Sequence, residues 1–301
     1  MRFINRDSMK WILPIVLCAL SACGAQQITP LPKGKRVAPG VLAIGRISNP
    51  RITESSGVAV SRKNPDVLWT HNDGGGKRQV LYAISRTGSS IAEYHVTGAL
   101  LEDWEDIAAD EQGHLFLGDI GDNEKERATI AVHQIDEPEL TPSRNGIARV
   151  TRSWNLRYPK GRFNAEALVV WGESGYVITK VFDDARAELY RFSLTNSAEI
   201  QTLHLVGELR IEAPVTGADI STDGKLMAVV SKAGAYVYRI GGDPARATVG
   251  KPYRTKFDDA HIESCTFVPE GLLATSEARL IFLFTDEPFR TGPPLAEKKK
   301  K

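Results

Sequence analysis

Apolar positions along the body of this chain come in short runs, not in helical stripes. No long window carries the i, i+3, i+4, i+7 spacing of an amphipathic helix. β-rich runs recur instead, separated by Gly, Asp, Asn and Pro. One phrase returns five times, a polar residue and a small residue followed by an apolar strand. Its copies are Ser56–Ser61, Glu105–Asp110, Glu166–Trp171, Thr216–Ser221 and Glu263–Val268. They are spaced by roughly 50 residues, the length of a propeller blade. A second strand follows each copy, at Val67–His71, His114–Gly118, Gly175–Thr179, Leu226–Val230 and Leu272–Thr275. The third strands are Leu81–Ile84, Ile130–His133, Leu189–Phe192, Tyr236–Arg239 and Ile281–Phe284. Outer strands fall near Ile91–Val96, Ile147–Leu156, Leu203–Leu209 and Lys251–Phe257.

The last repeat has no outer strand, because Pro288, Pro293 and Pro294 break the chain, while a spare strand, Val41–Ile47, stands at the other end. Lending it to the last repeat closes a ring that would otherwise expose unpaired edges. The pattern predicts an all-β fold, a β-propeller of five blades, each of four antiparallel strands, closed by the N-terminal strand. Six blades is the second reading, with a divergent blade between the second and third phrases. The fourth phrase can be slid by one residue to set Ala218-Asp219-Ile220 on Glu105-Asp106-Ile107. Such a slip reverses side-chain facing, so the role of Asp219 stays open.

Ahead of the repeats, Arg2, Arg6 and Lys10 precede a short apolar run, Trp11–Leu20, that ends in Leu20-Ser21-Ala22-Cys23. A basic start, a short apolar centre and small residues before the cut describe a secretory signal peptide. The run is short of the roughly 20 apolar residues a membrane span needs. The last four residues resemble the lipobox of bacterial lipoproteins. That resemblance implies cleavage before Cys23, a diacylglycerol on its sulfur and a palmitoyl-type acyl chain on the new N-terminus. Gly24 after the cysteine implies sorting to the outer membrane, with the protein on its periplasmic face. The expected organisation is a signal peptide over 1–22, a lipidated Cys and flexible tether over 23–38, the propeller over 39–289 and a disordered basic tail over 290–301.

Charge is close to balance, 38 Lys and Arg against 37 Asp and Glu. No global field recruits nucleic acid or an oppositely charged partner, and the expected state is a monomer. With Cys23 acylated, Cys265 is left alone in an apolar strand as a core thiol, so no internal disulfide forms. The terminal lysines read as a solvated tail.

Where blades surround an axis, the starts of innermost strands and the ends of second strands share one mouth of the channel. This collects Glu54 or Ser56, Glu105, Glu166, Thr216 and Glu263 with Asn72, Asp73, Asp119, Lys180, Lys232 and Glu277. Gathered carboxylates repel, and some are expected above their usual pKa. Lys180 and Lys232 offer one remedy; a hard cation such as Ca²⁺, which takes oxygen ligands, offers another. Glu54, Asn72, Asp119 and Glu166 are the candidate metal ligands. The binding set is Glu54, Asn72, Asp73, Glu105, Asp119, Glu166, Lys180 and Glu263. His71 reads as a structural histidine at the mouth or a ligand. Asn72-Asp73-Gly74 and Asp122-Asn123 also read as turn formers.

Glu54-Ser55-Ser56-Gly57, His71-Asn72-Asp73-Gly74-Gly75, Asp103–Ala108 and Gly118–Asn123 resemble phrases of uncharacterised secreted bacterial propeller proteins. They are distantly similar to the SdiA-regulated lipoprotein family, with Asn164-Ala165-Glu166-Ala167-Leu168 as a later copy. The resemblance covers residues 41–285, and Asp106 departs from the family's usual Gly. Calcium-dependent lactonases of the gluconolactonase and paraoxonase type are more distantly similar. There Glu54, Asn72, Asp119 and Glu166 match the residue types that hold Ca²⁺, but the order of motifs does not match.

These observations point to a lipid-anchored extracytoplasmic propeller that binds a ligand, a protein partner or a divalent cation at its mouth. The alternative is a Ca²⁺-dependent hydrolase of esters, lactones or phosphoesters, with Glu105 or Glu166 as base and Lys180 opposing developing negative charge. A third reading is a glycosidase using two of Glu105, Glu166 and Glu263. Whether the protein is an enzyme stays open. No G-x-S-x-G nucleophile, P-loop or dinucleotide fingerprint is present.

Overall fold

The structure is a computed structural model. It describes residues 28–285 apart from 75–78, 142, 183–185, 197, 213 and 258–261. The predicted signal peptide, Cys23 and the basic tail lie outside the described residues. Among the described residues no helix is long and apolar enough to cross a membrane.

A hairpin of β1 (Lys35–Ala38) and β2 (Val41–Arg46) comes first. β3 (Gly57–Val60), β4 (Val67–His71), β5 (Val80–Ser85) and β6 (Ser90–Thr97) make an antiparallel meander. A second contains β7 (Trp104–Ala109), β8 (His114–Asp119), β9 (Ile130–Asp136) and β10 (Asn145–Arg157). A third contains β11 (Ala165–Trp171), β12 (Ser174–Thr179) and β13 (Glu188–Ser193), continuing past the short β14 (Ile200–Thr202) to β15 (His204–Glu208). A fourth contains β16 (Val215–Ile220), β17 (Leu226–Ser231), β18 (Gly234–Arg239) and β19 (Tyr253–Lys256). β20 (Ile262–Val268), β21 (Gly271–Ser276) and β22 (Leu280–Thr285) complete the described chain.

By hydrogen bonding these strands form four sheets. The first two meanders share one nine-stranded sheet, because the start of β10 runs parallel to β6 while its remainder is antiparallel to β9. The end of β10 also pairs in parallel with β14. The long stretch between the second and third phrases therefore forms β9 and the 13-residue β10, not a further meander.

Inner and outer strands differ in sequence for a packing reason. β7, β12 and β21 are buried at every position, since both of their faces meet neighbouring sheets, and their sequences lack the apolar–polar alternation of a half-solvated strand. β6 and β10 alternate buried with more exposed positions, as half-solvated strands do. Five apolar clusters fill the spaces between successive meanders. One of them joins Ile281 and Leu283 of the last meander to Val58 and Leu68 of the first. The inner strands touch in a cycle, β3 to β7, β11, β16, β20 and back to β3. Antiparallel sheets set radially around an axis make a β-propeller.

Closure follows the predicted route. β2 pairs antiparallel with β22, Val41 opposite Phe284 and Leu42 opposite Leu283. The tether expected over 23–38 needs correcting where it is described. Lys35–Ala38 is a strand on the edge of β2. Thr29 donates its N–H to Asp66 at 3.0 Å and receives a bond from Arg86 at its carbonyl. The buried Arg86 guanidinium also pairs with Glu270 at 2.7 Å, so one cation gathers the N-terminal segment and the first and last meanders. Pro and Gly composition suggested a free linker, but these polar anchors and a sheet edge hold it.

Candidate functional site at the channel mouth

The same irregularity recurs at the start of four inner strands. The ladder skips one residue between Trp104 and Asp106, Ala165 and Ala167, Val215 and Gly217, and Ile262 and Ser264. The skipped residues are Glu105, Glu166, Thr216 and Glu263. A β-bulge leaves its extra residue out of the ladder and re-aims its side chain. Here it sets three glutamates and a threonine at one level of one channel. Their residual exposures are 5%, 6%, 1% and 9%. In the first meander, Ser56 takes the matching place, donating its N–H to His71 O ahead of the Gly57–His71 pair.

Burial governs the ionisation of this ring. It holds Glu105 well above the usual carboxylate range, reinforced by the charges of Glu166, Asp73 and Asp103 and opposed by Lys180. Glu263 is pushed up to about 9 by burial, by a hydrogen bond with Glu277 and by the charges of Glu166 and Glu277. Asp103 rises to about 6 through burial and the charge of Asp73, with Arg127 opposing. Burial also raises Asp73 and Glu54, and Glu277 adds to both. Glu166 is raised by burial even though Lys180 pairs with it directly. On Lys180, burial works to lower the pKa, but Glu166, Glu105 and Glu263 together raise it. These mutual influences bring Glu54, Asp73, Glu105, Glu166, Lys180 and Glu263 into one electrostatic neighbourhood.

Three of the four bulged residues are left incomplete. Glu105 Oε1, Thr216 Oγ1 and Glu263 Oε1 are buried and have no hydrogen-bond partner among the described residues. A buried polar atom without a partner costs about 1–3 kcal/mol. Only Glu166 is satisfied within the ring, through Lys180.

Other predicted site residues have local duties. Asn72 Oδ1 accepts from the N–H groups of Thr53 and Glu54, and its amide donates to Arg51 O at 2.8 Å. Asp119 accepts from Asp103 N at 2.8 Å and pairs with Arg127 at 3.0 Å. Asp122 caps its loop by accepting from Glu126 N and Arg127 N. His71 stacks on Trp104 at 3.9 Å and donates from Nδ1 to Asn72 O, its buried Nε2 has no partner among the described residues, and burial lowers its pKa to about 3. Cys265 is a buried thiol whose pKa burial raises. The proposed metal set of Glu54, Asn72, Asp119 and Glu166 is therefore largely committed to loops and to Lys180. The acidic oxygens that do converge belong to Asp73, Asp103 and Glu105, all within 4.8 Å of one another. Asp103 was not among the predicted site residues. It precedes the repeated phrase and is placed by Asp119 and by Gly121, which donates its N–H to Asp103 O at 3.1 Å.

Further along the channel, the fully buried Asp106 and the partly buried Asp219 are acids of another kind. Asp106 accepts from Ile107 N and Leu168 N, each at 2.8 Å, and from Ala218 N. Asp219 accepts from Ile220 N at 2.8 Å, Phe267 N at 2.7 Å and Thr266 Oγ1 at 3.0 Å. Each carboxyl thus satisfies edge N–H groups of neighbouring inner strands. This gives Asp219 a role in joining meanders. The bulge at Thr216 sets the register without a slip, since Gly217 and Asp106 follow their bulges at equivalent places.

No family model matches this chain, and no curated protein does. A solved structure of the Dos1 propeller is similar at 13% identity and a TM-score of 0.39; the match covers 74% of this chain and 53% of that one. The chain thus spans about half the length of that structure. The fold assignment rests on the strand topology itself.

Proposed function

We propose that this chain is a five-bladed propeller, anchored by lipid on Cys23 at the periplasmic face of an outer membrane, whose channel mouth binds a positively charged ligand. The blade count takes the nine-stranded sheet as two blades joined through β6 and β10. The anchor reading is supported by the Leu20-Ser21-Ala22-Cys23 phrase. The binding reading is carried by one observation: bulged glutamates on separate strands present buried, unpartnered oxygens to a shared channel. A ligand bearing hydrogen-bond donors and positive charge meets those acceptors and relieves the repulsion among the acids. Polar groups that converge from separate strands mark a candidate binding site. The hydrolase alternative is less well supported, because Lys180 is engaged by Glu166 instead of facing a developing oxyanion.

Calorimetric titration of the purified, chelator-treated chain with spermidine, an organic polycation, and with citrate, a polyanion, tests this reading. Saturable heat is expected for spermidine alone. Its affinity should fall at least tenfold, about 1.4 kcal/mol, in a Glu105→Gln, Glu166→Gln double variant. Equal binding of citrate, or an unchanged double variant, would overturn it.

A further inference from the structure

The acids of the mouth are not evenly spread. Asp73 follows the end of β4, Asp103 precedes β7, and Glu105 is the bulged residue of β7, so all three stand where the first two meanders meet. One carboxyl oxygen from each lies within 4.8 Å of the others. Clustered acids alone are common on protein surfaces, but Glu105 adds a second observation. Its side chain is 5% exposed and its Oε1 has no partner.

Gly121 shows where that oxygen points. A Cβ on Gly121 would lie 2.4 Å from Glu105 Oε1 and 2.3 Å from Asp103 Oδ2. The two oxygens therefore converge side by side on the Cα of the Gly121 backbone, where any side chain would collide with both. That backbone is fixed, because Gly121 N donates to Asp103 O and Gly121 O accepts from Arg127 at 2.7 Å. Arg127 in turn pairs with Asp119, which accepts the N–H of Asp103. Such an outer layer orients ligands around a metal.

Resting on the proposed mouth-binding reading, we propose that Asp73, Asp103 and Glu105 form a Ca²⁺ site at the junction of the first two meanders. The donor set selects the class of ion. All three donors are carboxyl oxygens, with no imidazole or thiolate among them, which favours a hard cation. The spread of the three oxygens, within 4.8 Å of one another, is one that a Ca²⁺ shell of about 2.4 Å radius can span. Mg²⁺ gives up its waters reluctantly and is seldom held by protein carboxylates alone, so Ca²⁺ is the better match. Three carboxylates leave several of the roughly 6–8 positions of Ca²⁺ open. Those positions suit the oxygens of water or of an anionic or hydroxylated ligand. The mouth would then accept such a ligand through the ion, and simple organic cations without it.

Trp104 supplies the readout, since it lies between Asp103 and Glu105 in the chain. Tb³⁺, a luminescent substitute for Ca²⁺, is titrated into the purified, chelator-treated chain with excitation of tryptophan. Saturable emission is expected, displaced by Ca²⁺ at a concentration at least tenfold below that of Mg²⁺. Glu105→Gln should weaken Ca²⁺ at least tenfold. Gly121→Ala should do the same by displacing the oxygens of Asp103 and Glu105; if that variant fails to fold, Glu105→Gln decides. Absence of saturable Ca²⁺ binding up to about 10 mM, beyond the range of weak extracellular sites, overturns the site. So does an affinity unchanged in Glu105→Gln. Spermidine binding separates the two readings: if it survives while Ca²⁺ fails, the metal site falls and the charged mouth stands. If neither binds, both fall.

Discussion

Two tiers of acids share one channel and meet the loss of water in opposite ways. In the deeper tier, Asp106 and Asp219 are surrounded by backbone donors, each accepting from its own following residue and from neighbouring inner strands. At the mouth, Glu105 and Glu263 are buried too, yet they hold oxygens with no partner among the described residues. Burial raises the pKa in both tiers. Partnership separates them. Acids that accept edge N–H groups tie the sheets together; acids left wanting a donor are, on the proposed reading, placed for something outside the chain. Burial alone would not distinguish an architectural carboxyl from a receptive one.

The sharpest break in this comparison is Asp106→Ala. It removes the acceptor of Leu168 N and Ala218 N, and each buried N–H left bare costs about 1–3 kcal/mol. Urea unfolding should show a loss of about 3 kcal/mol; a loss too small to move the midpoint would remove the architectural role.

Glu263→Gln should act in the other direction and depend on pH. Glu263 keeps its proton in the folded chain up to about 9, whereas its ordinary value is 4.5. Between those values the unfolded state binds fewer protons, so this residue lowers stability progressively as pH rises. Gln carries no such proton. In the presence of a chelator, the gain in Tm should be near zero at about pH 5 and reach several degrees at about pH 8.5. An equal gain at both pH values would show that burial does not govern this side chain. The smallest effect belongs to Thr216→Val, which replaces an unpartnered hydroxyl by a methyl of similar shape. Stability should stay within about 0.5 kcal/mol of the parent, because removing an unmet polar atom is close to neutral. A clear loss in urea unfolding would mean that the hydroxyl has a structural partner.

The repeat made much of this arrangement legible. Phrases such as Glu105–Asp110 and Glu166–Trp171 gave the inner strands, and the proline-rich end gave the need for Val41–Ile47. Their regularity also implied that equivalent glutamates would share a level. What stayed hidden depends on single backbone events. The bulges that aim Glu105, Glu166, Thr216 and Glu263 leave no mark in a hydropathy pattern. Asp103 lies outside the repeated phrase, and its position depends on Asp119 and Gly121. Asn72 and Asp119 carry the side chains of metal ligands, but nearby N–H groups compete for them, and such competition is invisible until the loops are in place. The parallel contacts of β10 with β6 and β14 join strands across different meanders, which no local periodicity encodes.

The marriage of β2 to β22 has a consequence in time. Val41–Arg46 is made early, and its partner Leu280–Thr285 is made almost at the end of the described chain. Throughout synthesis this apolar strand waits for a mate some 240 residues away, and contacts that distant in sequence form slowly. The last sheet is finished only when the final strand emerges, so the nascent molecule must be kept from premature association until its two ends have met.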